Sequence, residues 1–564
     1  MLHKILRLYH TVKPLRFEQI YFRLYYKIFP LKSVAENTSM VKASLWKWHG
    51  EEFVKPSILD ENYVIFLNQK VDISDVTIWN NAEHEKLWLY NLHYFDDLNA
   101  IASLSRKTIQ YNLVKRWNAE NPSVQGNGWE PYPTSLRLVN WIKWYKRAEI
   151  SDQSVLSSIA LQSKALTKQL EYHILGNHLF ANAKALVFSG CFLQGKESVG
   201  YLDLGLKLLD REIPEQFLAD GGHFELSPMY HCILLWDLLD LINLANISGE
   251  KKLLDRLSVW KEYALKALNW LDVMTHTDGE ITFFNDATVG IAASPEQINS
   301  YGASLGLKSQ KSVLSYQCLK KTGYSRIKFP LYALIFDHGE VGPSYLPGHA
   351  HADTLSFELS VGECRFFVNS GTSLYGLTEE RQRQRGTAAH NTVVINGADS
   401  SEVWGGFRVA RRANVSGYSV DVYEEHINIA AQHDGYLRFK EGGIHKRNIL
   451  TGPEKIVVKD EVLGNFNHAV AYFHLHPEIH IEVVSDYILI LTSKNNMSIQ
   501  LESSSLIIIE TSTYHPGFGM SIPNKRLSIP LQDCEQLENI GRKLGGERNG
   551  WLEVSLFFMG VNES

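Results

Sequence analysis

Apolar side chains recur every three or four positions through the first three-fifths of the chain. In residues 253–274, Leu253, Leu257, Trp260, Ala264, Ala267, Leu271 and Met274 fall on one stripe and predict a helix. Similar stripes run through Val155, Ile159, Leu166, Leu170 and Ile174, through Leu179, Ala183, Leu186 and Gly190, and through Leu204, Leu208, Ile213 and Phe217. Short connections bearing Gly, Asp or Pro separate them, so this part reads as an all-α array of paired helices, either a solenoid or a closed toroid. From about Lys328 the period falls to two. His480, Glu482 and Val484 alternate with Ile479, Ile481 and Val483, and residues 487–491 and 506–509 read as short buried strands. Gly442-Gly443, Thr451-Gly452-Pro453 and Lys494-Asn495-Asn496 punctuate them as turns, which predicts an antiparallel sandwich. The period changes near residues 322–330 without a flexible linker. We therefore divide the chain into a helical domain, 1–325, and a sheet domain, 326–564, with their junction as a natural cleft.

Composition narrows the function. With 56 Lys+Arg against 62 Asp+Glu the formal charge is −6, which excludes a strongly basic nucleic-acid binder. The five cysteines stand singly and form no CxxC pair, so neither a disulfide framework nor a cysteine zinc site is expected. The longest uninterrupted apolar run is Leu331 to Phe336, too short to span a membrane. Residues 1–30 carry six Lys/Arg against one acid, Glu18, with apolar residues at helical spacing (Ile5, Leu8, Val12, then Ile20, Leu24, Ile28). They read as a basic amphipathic segment packed on the body, or in peripheral contact with a membrane. No hydrophobic region precedes a small-residue cleavage site, which argues for the cytoplasm.

Polar residues that are costly in a core gather at four places. Gly176-Asn177-His178 opens a helical stripe, where Asn is also a common cap. The stretch from Asp220 to His231 concentrates ionisable groups before an apolar helix, with Ser227 as a capping candidate. In Gly348-His349-Ala350-His351-Ala352-Asp353 the polar groups are two apart, so on a strand His349, His351 and Asp353 share one face that must pair, titrate or bind metal. Arg385-Gly386-Thr387-Ala388-Ala389-His390-Asn391-Thr392 leads into a strand.

Together these stretches resemble the heparinase II/III-like polysaccharide lyases. Trp129-Glu130-Pro131-Tyr132, Ser135-Leu136-Arg137, Phe284-Asn285-Asp286-Ala287 and Phe473-His474-Leu475-His476-Pro477 extend the likeness over most of the chain, and the HAHAD and AHNT motifs are its specific part. The resemblance implies an N-terminal α/α toroid, an incomplete barrel, followed by a C-terminal antiparallel β-sandwich, with the active cleft between them. The basic start and the stretch from Ser401 to Arg408 look like members associated with bacterial exopolysaccharide or O-antigen clusters, which points to the cell envelope or periplasm.

Eliminating a uronate glycosidic bond requires a neutralised carboxylate, a base for the C5 proton and an acid for the leaving oxygen. Asn177 suits the developing aci-carboxylate, with His178 or Arg385 as charge partner. Tyr230 suits the acid, and a nearby cation could lower its pKa enough for base duty; His349 suits the base. The resemblance matches Asn177, Tyr230 and His349 to catalytic positions. Trp129, Tyr132, Arg137, Glu225, His231, Arg385 and Trp404 are expected to touch substrate, while Arg137, Arg381, Arg383 and Arg385 could make the cleft positive. The chemistry itself requires no cofactor. The resemblance also implies a structural zinc on His351, Asn369 and His390. Asn369 stands where aspartate is expected, and a neutral amide is a poorer ligand unless Asp353 or water compensates.

The expected partner is an acidic polysaccharide or oligosaccharide. A uronate C5-epimerase shares the proton abstraction and is left open. So are a non-catalytic glycan-binding or assembly factor using Trp129, Tyr132 and Trp404, and a glycoside hydrolase using Glu225 and Asp286 as a carboxylate pair.

Overall fold

A computed structural model describes residues 2–35, 42–309, 315–533 and 548–559 of the 564-residue chain. Helices α1 (Leu2–Val12) and α2 (Phe17–Ile28) come first. The helical body comprises α3 (Lys86–Tyr94), α4 (Lys107–Glu120), α5 (Pro131–Arg147), α6 (Gln153–Leu166), α7 (Gly176–Phe192), α8 (Lys196–Gln216), α9 (Pro228–Ser248), the short α10 (Lys251–Leu254), α11 (Leu257–Val273) and α12 (Pro295–Ser304). The helices pack pairwise, α5 on α7, α7 on α8 and α9 on α11. Helix α9 is apolar on all sides because other helices enclose it. It has the length and apolarity to cross a membrane, but 78% of that stretch is buried inside the protein, which marks a core helix.

Two helices differ from their sequence stripes. The stripe over 253–274 is interrupted at Asp255 and Arg256, where the Arg256 guanidinium reaches back to both oxygens of Asp210 on α8. Helix α6 stops at Leu166. Leu170 still packs into the core from the turns that follow, so the apolar period outlasts the helix.

Apart from a small hairpin at Tyr63–Phe66 and Gln69–Asp72, the strands begin at Tyr316, and the change of period near 322–330 coincides with the second strand of the sheet half. Among the described residues the strands form three larger antiparallel sheets. One holds five strands from Tyr316–Leu319 to Cys364–Phe367, one holds four around Ala469–His474, and one holds nine from Val415–Val422 to the edge strand His480–Ser485. Side chains from all three meet in one apolar core, which makes this half a sandwich. Strand Gly443–Thr451 alternates buried with more exposed positions, whereas every residue of Tyr332–Asp337 is buried. That central strand is covered on both faces: Leu334 and Phe336 join the sandwich core, and Ile335 joins a cluster with Leu226, Trp270, Met274 and Phe284 of the helical half. Residues 506–509 are not a buried strand, since Leu506 and Ile508 are exposed. The edge position of His480–Ser485 leaves most of its alternation solvated. Cys191, Cys232, Cys318 and Cys364 are free thiols, and Cys534 lies outside the described residues.

Candidate active site

The four polar stretches converge at the junction. Asn177 lies in the first turn of α7, entered through two successive left-handed residues, Leu175 (φ 72°) and Gly176 (φ 54°). The positive φ of Gly176 favours glycine, and a Cβ there would also push the Leu346 side-chain end, 2.4 Å away, aside. Asn177 is not a cap. Its amide lies beside the Tyr132 hydroxyl and its backbone N–H beside Glu225, each tempering the rise that burial imposes on that neighbour's pKa. Beside it, the His178 ring lies 4.2 Å from Tyr132 between centroids, and its Nδ1 pairs with Glu171 at 2.8 Å. Burial alone would depress the His178 pKa, but the Glu171 carboxylate outweighs it and raises the pKa.

Tyr230 is fixed by helix chemistry. Ser227 caps α9 by accepting the Tyr230 N–H, and Pro228 occupies the first helical position. The Tyr230 ring stacks on His349 at 3.8 Å, and its hydroxyl lies 3.0 Å from that of Tyr375. Burial, then the neighbouring Tyr375, push the Tyr230 pKa well up, so the phenol stays protonated. The expectation that a cation makes it a base does not hold, because desolvation dominates. His349 Nε2 lies 3.7 Å from Glu225 Oε2, and Glu225 Oε1 has no hydrogen-bond partner. Burial raises the Glu225 pKa despite His349 and His178.

Asp286 holds the other side of His349. It accepts from His349 Nδ1 (2.9 Å), His351 Nε2 (2.8 Å) and both terminal nitrogens of Arg381, Nη2 at 2.7 Å. Burial alone would raise the Asp286 pKa, but Arg381 and the two histidines hold it well below the carboxylate range. It is thus a permanent anion orienting His349. An aspartate so engaged is not one of the hydrolase pair with Glu225. The HAHAD segment is an irregular loop before strand Phe357–Val361, not a strand. Its groups converge through Asp286 and Asn285, whose backbone N–H donates to Asp353 at 2.9 Å. Leu175, Leu226, Asn285 and Leu355 all have positive φ beside these groups, the backbone strain expected where a site is held in place.

Several expected contacts lie elsewhere. Trp129 is buried and donates to the Asn121 carbonyl. Arg137 is fully buried, bonded to Gln162 and the His93 carbonyl and stacked 4.0 Å from Trp117. His231 donates to the Ala267 carbonyl, and burial depresses its pKa to about 3. Arg385 donates to the carbonyls of Ala350, Gly405 and Arg408, and burial lowers its pKa to about 9, so it tethers loops. Trp404 lies between the guanidiniums of Arg7 and Arg408, each 4.7 Å away, and bonds Thr11. Arg383 pairs with Glu380, so none of the four arginines expected to make the cleft positive is free. Tyr375 and Glu171 went unread in the sequence, because an isolated aromatic in a loop and a lone glutamate carry no pattern.

The residues implied for zinc do not fit it. His351 and His390 each bury one ring nitrogen without a partner, as ligands would. The Asn369 carbonyl, however, already faces His390 Nδ1 at 3.1 Å, and its NH2 is itself unpartnered. Asp353 is engaged with Asn285 and does not compensate. Among the described residues no group of three or more His, Cys, Asp or Glu could hold a metal ion.

Comparison with known proteins bears on the fold and the family. Residues 80–310 match the domain described as the heparinase II/III N-terminus, and residues 315–541 match the heparinase II/III-like C-terminal domain. A heparin-sulfate lyase of Bacteroides stercoris is 24% identical over 254 residues, 40% of this chain and 36% of the relative. One from Bacteroides thetaiotaomicron is 22% identical over 449 residues, 71% of this chain and 61% of the relative. The chain thus spans less than two thirds of either relative. A crystal structure of heparinase III superposes with a TM-score of 0.66 at 15% identity, covering 96% of this chain and 90% of that one. The heparan sulfate lyase HepC from Pedobacter heparinus gives 0.56 at 15% identity, covering 87% and 80%. The fold is therefore the toroid and sandwich expected from the two periods.

Proposed function

The chain belongs to the heparinase II/III-like family, and from that premise we propose that it is a polysaccharide lyase that cleaves a uronate-containing acidic glycan by β-elimination. The observation that carries this reading is the run of contacts from Glu225 through His349 and Tyr230 to Tyr375, with Asn177 beside Glu225. The Asn177 amide and the His178 imidazolium receive the uronate carboxylate and stabilise the charge that develops on it. His349, oriented by Asp286, takes the C5 proton. The electron pair forms the C4–C5 double bond as the C4–O bond breaks, and the Tyr230 hydroxyl protonates the departing oxygen. Tyr375 positions that hydroxyl. Elimination needs an acid and a base on separate side chains, and a stacked imidazole and phenol supply both.

The polymer we propose is sparsely charged, one carboxylate per uronate without dense sulfation. Support for this comes from Arg137, Arg381, Arg383 and Arg385, all consumed by internal partners. A bacterial surface polysaccharide fits, and the envelope is the compartment we propose. We further propose that zinc is not needed for turnover.

The test is to incubate the protein with heparan sulfate, chondroitin, unsulfated uronate polymers and bacterial surface polysaccharides while following ultraviolet absorbance and product mass. New absorbance with shorter unsaturated products is expected. Saturated products of hydrolysis, or C5 inversion without chain cleavage, would refute elimination and favour a hydrolase or an epimerase.

A further inference from the structure

Helices α1 and α2 reverse the usual logic of a surface helix, in which the apolar stripe faces the body. On α2 the contacts with the body are largely polar or aromatic. Gln19 donates to the Tyr345 carbonyl, Tyr26 to the Leu170 carbonyl at 2.7 Å, and Phe22 stacks on Tyr172 at 4.6 Å. Its apolar stripe points away: Phe17 is 80%, Leu24 56% and Ile28 66% exposed. Helix α1 does the same. Thr11 and Arg7 hold it to Trp404, while Ile5, Leu8 and Tyr9 are 58%, 55% and 55% exposed.

Charge surrounds this apolar face with one sign. Lys4, Lys13 and Lys27 are exposed and make no ion pair among the described residues. Glu18, the single acid in residues 1–30, is already paired with Arg211 at 3.2 Å. A second copy docked through this face would set lysines against lysines, whereas an anionic bilayer offers acyl chains to the stripe and phosphates to the lysines.

We propose that α1 and α2 form a docking surface for an anionic phospholipid membrane. The pair also braces the loops that carry His349 and Phe407. Arg16 lies 3.7 Å from the Tyr345 ring, four residues before His349, and Arg7 covers Trp404, three residues before Phe407, whose ring is edge-on to His349. Docking therefore holds the candidate site close to the bilayer surface, independently of which glycan it takes.

The test is flotation of the full chain with vesicles of phosphatidylglycerol and phosphatidylethanolamine, and with pure phosphatidylcholine. The protein is expected to float with the anionic vesicles, less so as salt rises, and to stay unbound with phosphatidylcholine. Lys4→Glu/Lys13→Glu/Lys27→Glu should lower partitioning by at least about a hundredfold, since three lost attractions of about 1 kcal/mol each are joined by repulsion. Leu8→Glu/Leu24→Glu should abolish it, and both variants should keep the parent melting temperature. Failure of the parent to float, or flotation of both variants like the parent, overturns the proposal. So does light scattering without lipid that shows a dimer dissolved by the same substitutions, since the occupant is then a second copy.

Discussion

Two clusters of buried histidines lie side by side at the junction, and they differ by one acid. Around Asp286, His349, His351 and Arg381 all find a partner on the carboxylate. Around Asn369, His390 obtains one contact, while its Nε2 and the Asn369 NH2 remain without partners. A carboxylate offers about four lone-pair sites and a full charge, whereas an amide oxygen offers two and brings two donors that themselves need acceptors. The first cluster can therefore hold the His349 imidazole rigidly, while the second leaves His390 neutral, its pKa depressed well below the usual range by burial.

The comparison breaks most severely at Asp286. Replacing it by Asn leaves the Arg381 guanidinium buried without its counter-charge, and the expected loss is about 3–5 kcal/mol in denaturant unfolding, with activity abolished. A change below about 1 kcal/mol would show that Asp286 does not organise the cluster. Next, Tyr230→Phe removes the leaving-group proton donor and should lower turnover by about 10²- to 10⁴-fold, with the melting temperature nearly unchanged because the hydroxyl bonds only Tyr375. Retention of activity would dismiss Tyr230 as the acid.

Asn369→Asp makes the second cluster resemble the first. Metal analysis after dialysis against zinc should find the parent substoichiometric and the variant close to one equivalent; full occupancy of the parent that survives chelator would contradict the mismatch. The smallest effect concerns His178. Glu171 raises its folded pKa, so its contribution to stability is complete below an unfolded pKa of about 6.5 and is lost as pH rises through the folded value. The destabilisation caused by His178→Gln should be larger at pH 6 than at pH 9, by about 1 kcal/mol or less given its partial exposure. A difference that does not change with pH would remove the ion pair from the account.

Asn177, His178, Tyr230 and His349, which the structure brings to the junction, each sit in a short motif whose polarity is costly to bury. Trp129, Arg137, His231, Arg385 and Trp404 sit in equally conspicuous motifs, yet they face carbonyls, other rings or the N-terminal helices. A guanidinium that binds a glycan and one that tethers two loops have the same sequence signature. The stripes over residues 17–28 likewise announced a helix and misplaced its inside, since period reports that an apolar face exists but not what it meets.

The sequence by itself determined the change from helical to strand period, the chemical types available at the junction and the amphipathic start, all of which depend on neighbours within a few positions. Partnership was decided only by the tertiary structure. Asp286 meets Arg381 across 95 positions, and Tyr230 meets Tyr375 across 145. Whether a buried charge is neutralised, or a phenol kept protonated, depends on what the fold carries to within a few ångströms, because electrostatic and hydrogen-bond energies fall off with distance in space and are indifferent to separation along the chain.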